Sequence, residues 1–318
     1  MTIDAILQGD VRSCLRQLED QSVQCCVTSP PYWGLRDYGC EGQIGLEPTP
    51  EAYVADLLDV FREVKRVLRD DGTLWLNLGD SYAGSGKGGQ SEEKRSEHWQ
   101  PTYMNKGNVP FGCKPKDLVG IPWRVAFALQ ADGWYLRSDI IWNKPNPMPE
   151  SVTDRCTKSH EYIFMLTKSE RYYYDAEAVK EPVSDISLQR AEYGWNCDRP
   201  STKNASMGGD GIHTEKMGSR FVNPSGRNKR DVWTVATEPC SEAHFAVFPS
   251  KLIEPMILAG TKTGDTILDP FMGSGTTAIQ AVRFHRHYLG CELNPKYVEM
   301  AERRIAAMKG PLFEKEAA

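Results

Sequence analysis

The stretch Ser29-Pro30-Pro31-Tyr32 carries an unusual set of hydrogen-bond acceptors. It follows the apolar run VQCCVT, and the two prolines exclude both helix and central strand, because each has a fixed φ and no N–H. The residues therefore form a rigid turn at a strand end that offers oxygens beside an aromatic face. Such a turn suits a planar group with an NH₂: the amine donates to Ser29 and to the Pro30 carbonyl, and the ring stacks on Tyr32.

Acceptors in this arrangement predict a reaction at the amine nitrogen. The two hydrogen bonds draw the nitrogen out of conjugation with its ring, so its lone pair becomes able to attack an electrophile. Transfer of a methyl group from a sulfonium needs no covalent enzyme intermediate, since the sulfonium carries its own leaving group. The turn taken alone also fits a structural loop, and a second motif is needed to decide between the two.

That second motif, TILDPFMGSGTTAIQA, places Asp269 at a strand end and two glycines, Gly273 and Gly275, ahead of a helix. Glycines there let the backbone pass close to a ligand at the carboxyl ends of the strands. Glu292 ends the next strand, from which a carboxylate can accept two ribose hydroxyls. The string G-x-G-T-T is not the dinucleotide fingerprint, and Asp269 repels a pyrophosphate but suits an ammonium or sulfonium. S-adenosylmethionine has both cations and a ribose. A plain strand-turn-helix connection is the alternative.

Alternating strands and helices must position these motifs. The clearest helix has Thr49 as its cap, Pro50 in its first turn, and an apolar stripe that begins at Tyr53; Gly72 is its expected end. Strands are predicted at DAILQGD, SVQCCVT, TLWLNLGD, WYLRSDIIW, HEYIFMLTK, TIL and HYLGCE. This order predicts a doubly wound, mostly parallel, Rossmann-like α/β sheet.

Composition limits the class of protein. The chain has 318 residues, 40% of them hydrophobic, and a net charge of −5, which argues against a protein that coats nucleic acid but allows a local basic groove. Nine cysteines without a C-x-x-C pair indicate reduced thiols and no metal site. Neither a signal peptide nor a membrane span is visible. We therefore expect a cytoplasmic protein.

Three regions are expected along the chain. Residues 1–182 form the catalytic half of one domain, in which 83–117 is a predicted mobile loop over the sheet, and residues 241–318 form the cofactor-binding half. Between them lies a polar insert, 183–240, whose stretch 216–230 has five basic residues and no acidic one. This basic stretch is a candidate contact for an acidic partner, with a solvated charged loop as the alternative.

Together, TSPPYWGLRDYG and LDPFMGSGTT resemble motifs of the bacterial and phage DNA amino-methyltransferases, which modify N4 of cytosine or N6 of adenine. The catalytic motif precedes the cofactor motif, with the variable insert between them, which is the circularly permuted order of the family's β group. The stretches GTLWLNLGDSY, IIWNKPNPMPES, SHEYIFMLTK and HFAVFPSKLIEPMI add to the resemblance, which covers nearly the whole chain outside 83–117 and 183–230.

The resemblance implies roles for individual residues. A base flipped out of double-stranded DNA would be held by Ser29, Pro30, Pro31 and Tyr32. The adenine of S-adenosylmethionine would meet Asp10, which also reads as a helix N-cap, and Phe248 would close the pocket. The other cofactor residues implied are Asp269, Phe271, Gly273, Gly275, Thr276, Glu292 and Asn294. The insert would be the target-recognition region, and the DNA contacts expected there are Arg220, Arg227, Lys229 and Arg230. A homodimer and a cognate restriction endonuclease are further expectations.

Several alternatives stay open at this point. Members with Ser before Pro-Pro-Tyr are more often cytosine-N4 enzymes, so Ser29 favours that base over adenine N6. Cys240 follows a proline in EPCS, as a cytosine-C5 nucleophile would, but it lies away from the catalytic half. RNA, a glutamine amide of a protein, and a noncatalytic DNA-binding module are the remaining alternatives.

Overall fold

The computed structural model describes residues 3–84, 109–110, 112–183, 186, 226–238 and 248–308. The chain divides into two compact units, Met1–Asp175 with Asp231–Ala318, and Ala176–Arg230. We call these the main unit and the second unit. Cys240, Arg220 and most of the predicted 83–117 loop lie outside the described residues.

An eight-stranded sheet forms the centre of the main unit. Its strands are β1 (Ala5–Gln8), β2 (Val23–Thr28), β3 (Leu68–Leu78), β4 (Tyr135–Asn143), β5 (His160–Thr167), β6 (Val232–Thr234), β7 (Thr266–Asp269) and β8 (His287–Glu292). They lie in the order β1-β8-β7-β2-β3-β5-β4-β6. All neighbours are parallel except β3–β5 and β5–β4. The predicted mostly parallel α/β fold is therefore confirmed.

The helices are α1 (Val11–Leu15), α2 (Pro50–Val67), α3 (Ile121–Ala131), α4 (Ser250–Gly260), α5 (Thr276–Arg283) and α6 (Pro295–Met308). Thr49 caps α2 by accepting a hydrogen bond from the Ala52 backbone N–H. The predicted apolar stripe of α2 is buried, from Tyr53 through Leu57, Phe61 and Val64. This stripe anchors the helix against the sheet and extends the core.

The predicted end of α2 at Gly72 is wrong. The helix stops at Val67 and β3 begins at Leu68, so Gly72 lies inside the strand. The β2–β3 register shifts between Val23 and Cys25, which accommodates the extra residues. A Cβ on Gly72 would lie 2.6 Å from the Leu68 Cγ and 2.8 Å from the Gln24 oxygen. The glycine therefore serves close packing in an irregular strand, not helix termination.

The strand order brings the two sequence motifs together. β7, which ends at Asp269, pairs with β2, which ends just before Ser29. Since parallel strands share one carboxyl edge, the acceptor turn and the glycine turn open at the same edge of the sheet. In the described parts of the chain, no helix is long and apolar enough to cross a membrane.

Candidate active site

A pocket of about 270 Å³ opens at this carboxyl edge, within the main unit. Most of the residues predicted to form the site line it: Asp10, Ser29, Pro30, Pro31, Tyr32, Phe248, Phe271, Gly273, Thr276, Glu292 and Asn294. The structure thus brings both predicted motifs to one cavity.

Helix α2 fixes the position of the acceptor turn, Ser29 to Tyr32. The Tyr53 hydroxyl, on the buried stripe of α2, donates to the Pro31 carbonyl at 2.8 Å. The Pro30 carbonyl has no hydrogen-bond partner among the residues that the structure describes. The Ser29 hydroxyl lies 3.3 Å from the Tyr32 hydroxyl and donates to it. The Ser29 oxygen also accepts from the Asn77 amide at 3.4 Å, which leaves one of its two lone pairs for a donor in the pocket.

A polar network surrounds the Tyr32 hydroxyl. This phenol donates to Glu161 Oε2 at 2.7 Å and accepts from the Asn77 amide at 2.7 Å. The same amide nitrogen lies 2.9 Å from Glu161 Oε2. Lys144 donates to Glu161 Oε1 and forms an ion pair with it. Burial, together with the Glu161 charge, raises the pKa of Tyr32 well above its usual value, so this residue stays a neutral phenol.

The orientation of Asn77 follows from its neighbours. With the amide turned the other way, its oxygen would face both the Glu161 carboxylate and the Tyr32 oxygen. In the observed orientation, its Oδ1 is buried with no partner among the described residues. Such an unpaired acceptor costs about 1–3 kcal/mol. The carboxylate thus dictates how Asn77 and Tyr32 share their hydrogens.

Gly79 provides the space for the Tyr32 ring. A Cβ at this position would lie 2.5 Å from Tyr32 Cε2 and 2.8 Å from Cδ2. We expect Gly79→Ala to lower the free energy of unfolding by about 1–3 kcal/mol, because the ring is also fixed by its hydroxyl network. Urea unfolding of Gly79→Ala alone and in a Tyr32→Ala background checks this. An equal cost in both backgrounds would show that the ring is not what the methyl group meets.

The other end of the pocket has the chemistry of a ribose and amino-acid site. Glu292 accepts hydrogen bonds from the Gly273 and Asn294 backbone N–H groups, both at 2.8 Å, which leaves lone pairs on each oxygen. Burial raises the pKa of Glu292, and these two hydrogen bonds oppose the rise. Ser274 and Thr276 also line the pocket, and their hydroxyl oxygens are buried with no partner among the described residues. Unpaired hydroxyls beside a glycine turn fit the polar end of S-adenosylmethionine.

Asp269 faces away from the pocket, contrary to the prediction that it faces the ligand. Its side chain is 1% exposed and absent from the pocket wall. It accepts hydrogen bonds from Thr28 and Thr277, each at 2.7 Å, and from the Phe271 N–H at 3.0 Å. Burial raises the pKa of Asp269 to about 6 despite these three donors. The Asp269 carboxylate therefore stabilises the glycine turn through these buried hydrogen bonds and does not line the pocket.

Gly275 also lies behind the wall, where it caps α5 at φ 83°. A Cβ on it would lie 2.8 Å from the Ala301 Cβ on α6. Left-handed backbone and close helix packing both require glycine at this position. Asp10 combines its two expected positions: it caps α1 by accepting from the Ser13 N–H at 3.1 Å, and it lines the pocket.

Three of the four predicted DNA-contact residues are described, and all three gather around Glu181 within the second unit. Arg227, Lys229 and Arg230 lie 3.2, 4.0 and 2.9 Å from its oxygens. Although burial opposes the effect, hydrogen bonds from Arg230 and the nearby cations lower the pKa of Glu181. Among the described residues of this unit, these three cations therefore share one carboxylate.

Sequence reasoning assigned no role to Asn77, Lys144 or Glu161, although the stretches that contain them carried the resemblance. Asn77 and Lys144 lie at the carboxyl ends of β3 and β4, where such sheets bind ligands. Glu161 lies near the start of β5, which is antiparallel to both neighbours. Among the described side chains, no cluster of His, Cys, Asp and Glu could hold a metal ion.

Comparison with known proteins agrees with this geometry. The family model for N6/N4 methylases, described as DNA methylase, matches residues 23–303. The chain is 50% identical over 300 residues to the type II methyltransferase M.Cfr9I of Citrobacter freundii, covering 94% of this chain and 87% of that one. It is 46% identical over 300 residues to M.SmaI of Serratia marcescens, covering 94% and 90%.

Solved structures show the same fold. A putative DNA modification methylase from Thermus thermophilus, complexed with S-adenosyl-L-methionine, superposes with a TM-score of 0.58 at 24% identity, over 96% of this chain and 95% of that one. PvuII DNA methyltransferase, which is cytosine-N4-specific, gives 0.61 at 18% identity, over 97% and 92%. The resemblance inferred from the two motifs is confirmed: this chain belongs to the N6/N4 DNA methylase family.

Proposed function

We propose that this protein transfers a methyl group from S-adenosylmethionine to the exocyclic amine of a base flipped out of duplex DNA, within a specific target sequence. The observation that carries the proposal is the state of the acceptor turn. Ser29 gives its hydrogen to Tyr32 and keeps a lone pair, the Pro30 carbonyl is unpaired among the described residues, and both residues line one pocket. An NH₂ group supplies the two donors that they lack.

One end of the pocket would bind the cofactor, and the other end would bind the target base. Glu292 would hold the ribose hydroxyls of the cofactor, while Ser274 and Thr276 would bind its polar end. Bound there, S-adenosylmethionine supplies a methyl group on a sulfonium. Ser29 and Pro30 would accept the two amine hydrogens and turn the nitrogen lone pair out of conjugation, and Tyr32 would stack on the base.

Cytosine N4 is the favoured target atom, and adenine N6 is the alternative. The preference rests on Ser29, since family members with Ser at this position more often modify cytosine. The likeness to PvuII methyltransferase extends to the fold alone. Both amines need the same two acceptors, so the mechanism is common to the two bases.

The test identifies the labelled nucleoside. The protein is incubated with tritiated S-adenosylmethionine and unmodified genomic DNA, which is then digested to nucleosides. Label in N4-methylcytosine is the expected result, and label in N6-methyladenine would keep the mechanism but change the base. Label in 5-methylcytosine would move the chemistry to a cysteine. DNA without label would contradict the proposal and direct the same assay to RNA and protein.

The cation cluster of the second unit is the proposed phosphate contact of the target-recognition insert. We expect simultaneous replacement of Arg227, Lys229 and Arg230 by Gln to weaken DNA binding and to flatten its dependence on salt, because fewer counterions are released. Fluorescence anisotropy with a labelled duplex at several salt concentrations measures the slope. Glu177→Gln, which changes an exposed carboxylate of the same unit, serves as the matched control. An unchanged slope would show that these three cations lie in a solvated loop that does not contact the DNA.

Partners beyond DNA are part of the same proposal. The relatives' names identify them as type II methyltransferases, which favours a cognate restriction endonuclease for this chain. The homodimer and the cytoplasmic location stay predictions.

A further inference from the structure

Glu161 lies in the pocket wall and is joined to the acceptor turn by its hydrogen bond with Tyr32 and, more weakly, through the Asn77 amide, which also bonds Ser29. Its carboxylate side chain is 16% exposed, and the partner cation Lys144 is similarly covered. A buried ion pair is costly to maintain, so its presence beside the acceptor turn requires an explanation. The methyl transfer proposed above gives this carboxylate no role.

The direction of the hydrogens between Ser29 and Glu161 is fixed by the partners. An ionised carboxylate only accepts, and the amide nitrogen of Asn77 only donates. Because Glu161 can only accept, the Tyr32 oxygen gives its single hydrogen to Glu161, at 2.7 Å, and itself accepts from Asn77. Ser29 then donates to the remaining lone pair of Tyr32, at 3.3 Å. In the series of hydrogen bonds from Ser29 through Tyr32 to Glu161, each donated hydrogen therefore points toward Glu161.

Methylation of an amine creates a proton that must leave. When the N–CH₃ bond forms and the S–CH₃ bond breaks, the nitrogen carries a positive charge and one hydrogen too many. Such an aminium on an aromatic ring is a strong acid, and transfer of its proton to a carboxylate is favourable. The Pro30 carbonyl cannot pass a proton on, whereas the Ser29 hydroxyl can.

We propose that Glu161 is the final acceptor of the proton that the target amine releases, by way of Ser29 and Tyr32. This inference rests on the proposed function. The amine gives its proton to Ser29 Oγ, the Ser29 hydrogen moves to Tyr32 Oη, and the Tyr32 hydrogen moves to Glu161 Oε2. Ser29 and Tyr32 end the step as they began it. Glu161 ends as a neutral carboxylic acid and loses its proton to water after the product leaves.

The neighbours of Glu161 suit this role. The charged and titratable groups that face it are Lys144, Lys158 and Tyr32. Lys144 stabilises the carboxylate through Oε1, so Oε2 is left for the hydroxyl chain. A purely structural role for Glu161, which only fixes the Tyr32 ring, uses the same contacts but requires no movement of protons. The two roles differ in how the rate responds to pH and to deuterium.

The test compares single-turnover methyl transfer by the full-length protein and three variants. Glu161→Gln keeps an oxygen that can accept the Tyr32 hydrogen bond but cannot take up the proton. Tyr32→Phe keeps the ring but interrupts the chain. Glu150→Gln is the matched control, because it removes a carboxylate from an ion pair with Arg155 outside the pocket wall. The substrate is a duplex with a mismatched target base, which flips easily and leaves the chemical step limiting.

We expect Glu161→Gln and Tyr32→Phe each to slow the chemical step by about a hundredfold, with the double variant no slower than either. Affinity for S-adenosylmethionine should be unchanged, which also shows that the variants fold. The wild-type rate should fall at acid pH and in D₂O, and Glu161→Gln should lose both effects. Glu150→Gln should behave as the wild type.

Two results would overturn the inference. A Glu161→Gln rate equal to that of the wild type removes the carboxylate from the step. A slow Glu161→Gln that keeps the wild-type acid limb and deuterium effect leaves Glu161 as a positioning residue for Tyr32 alone. If Glu161→Gln does not fold, the same readouts on Tyr32→Phe decide the question. Failure of the wild type to label any DNA base would instead contradict the proposed function.

Discussion

Ser29→Ala is expected to slow methyl transfer by about 10²–10³-fold, the usual cost of removing one pre-organised polar group from a reacting centre. The variant loses an acceptor for the target amine and, with it, the first hydroxyl of the chain that ends at Glu161. The pocket residues that would hold the cofactor lie at its other end, around Glu292. Affinity for S-adenosylmethionine should therefore be unchanged.

Single-turnover transfer of tritium measures the rate of Ser29→Ala, and isothermal titration calorimetry measures its cofactor affinity. Ser13→Ala is the matched control, because Ser13 lies on α1 and contacts Asp10 through its backbone N–H. Loss of cofactor affinity in Ser29→Ala would mean that the acceptor turn belongs to the cofactor and that the base binds elsewhere.

The pH dependence of stability is expected to change when Asp269 is replaced by Asn. Burial raises the pKa of Asp269 from 3.8 to about 6 in the folded protein. The folded state thus holds this proton more tightly than the unfolded state, and the free energy of unfolding falls as the pH rises between these values. A shift of about two units corresponds to about 3 kcal/mol. The loss is complete about one pH unit above the folded pKa, near pH 7, and the contribution is constant from there.

Urea unfolding of the wild type and Asp269→Asn between pH 4 and 8 measures this difference. We expect the stability of the wild type relative to Asp269→Asn to decline across this range and to level off near pH 7. Thr277→Val provides a control in the opposite direction, because it removes a hydroxyl donor at 2.7 Å and should extend the decline to higher pH. Parallel curves for the wild type and Asp269→Asn would show that the carboxylate is solvated.

Much of the fold was predictable because the features that define its helices and strands are local in sequence. Neighbouring residues alone determine the apolar stripe of α2, the end of β2 before Ser29 and the end of β7 at Asp269. The end of α2 was not predictable in the same way. Gly72 reads as a helix stop, but packing against Leu68 and β2 requires a glycine inside a strand. The short strand β6 is defined by its pairing with β4, a partner distant in sequence.

The site was predicted as far as the parallel-strand rule applies. According to that rule, ligand-binding residues lie at the carboxyl ends of parallel strands, and Ser29 and Glu292 are at such ends. Glu161 lies near the amino end of β5, yet it reaches the same edge because β5 runs antiparallel to β3 and β4. Asp269 shows the opposite limit. Its position at a strand end is as predicted, but the direction of its side chain is set by Thr28 and Thr277, which local sequence does not reveal.

The pairing of β2 with β7 has a consequence for biosynthesis. Thr28 and Asp269, which join these strands, are 241 residues apart. At about 5–20 residues per second, the ribosome needs on the order of 10–50 seconds to deliver the second strand after the first. Every residue of β2 is buried in the finished sheet, so the nascent chain carries an apolar strand with one open edge throughout this interval. The order of the two motifs in the chain therefore leaves a strand at the middle of the sheet with one unpaired edge until translation is nearly complete.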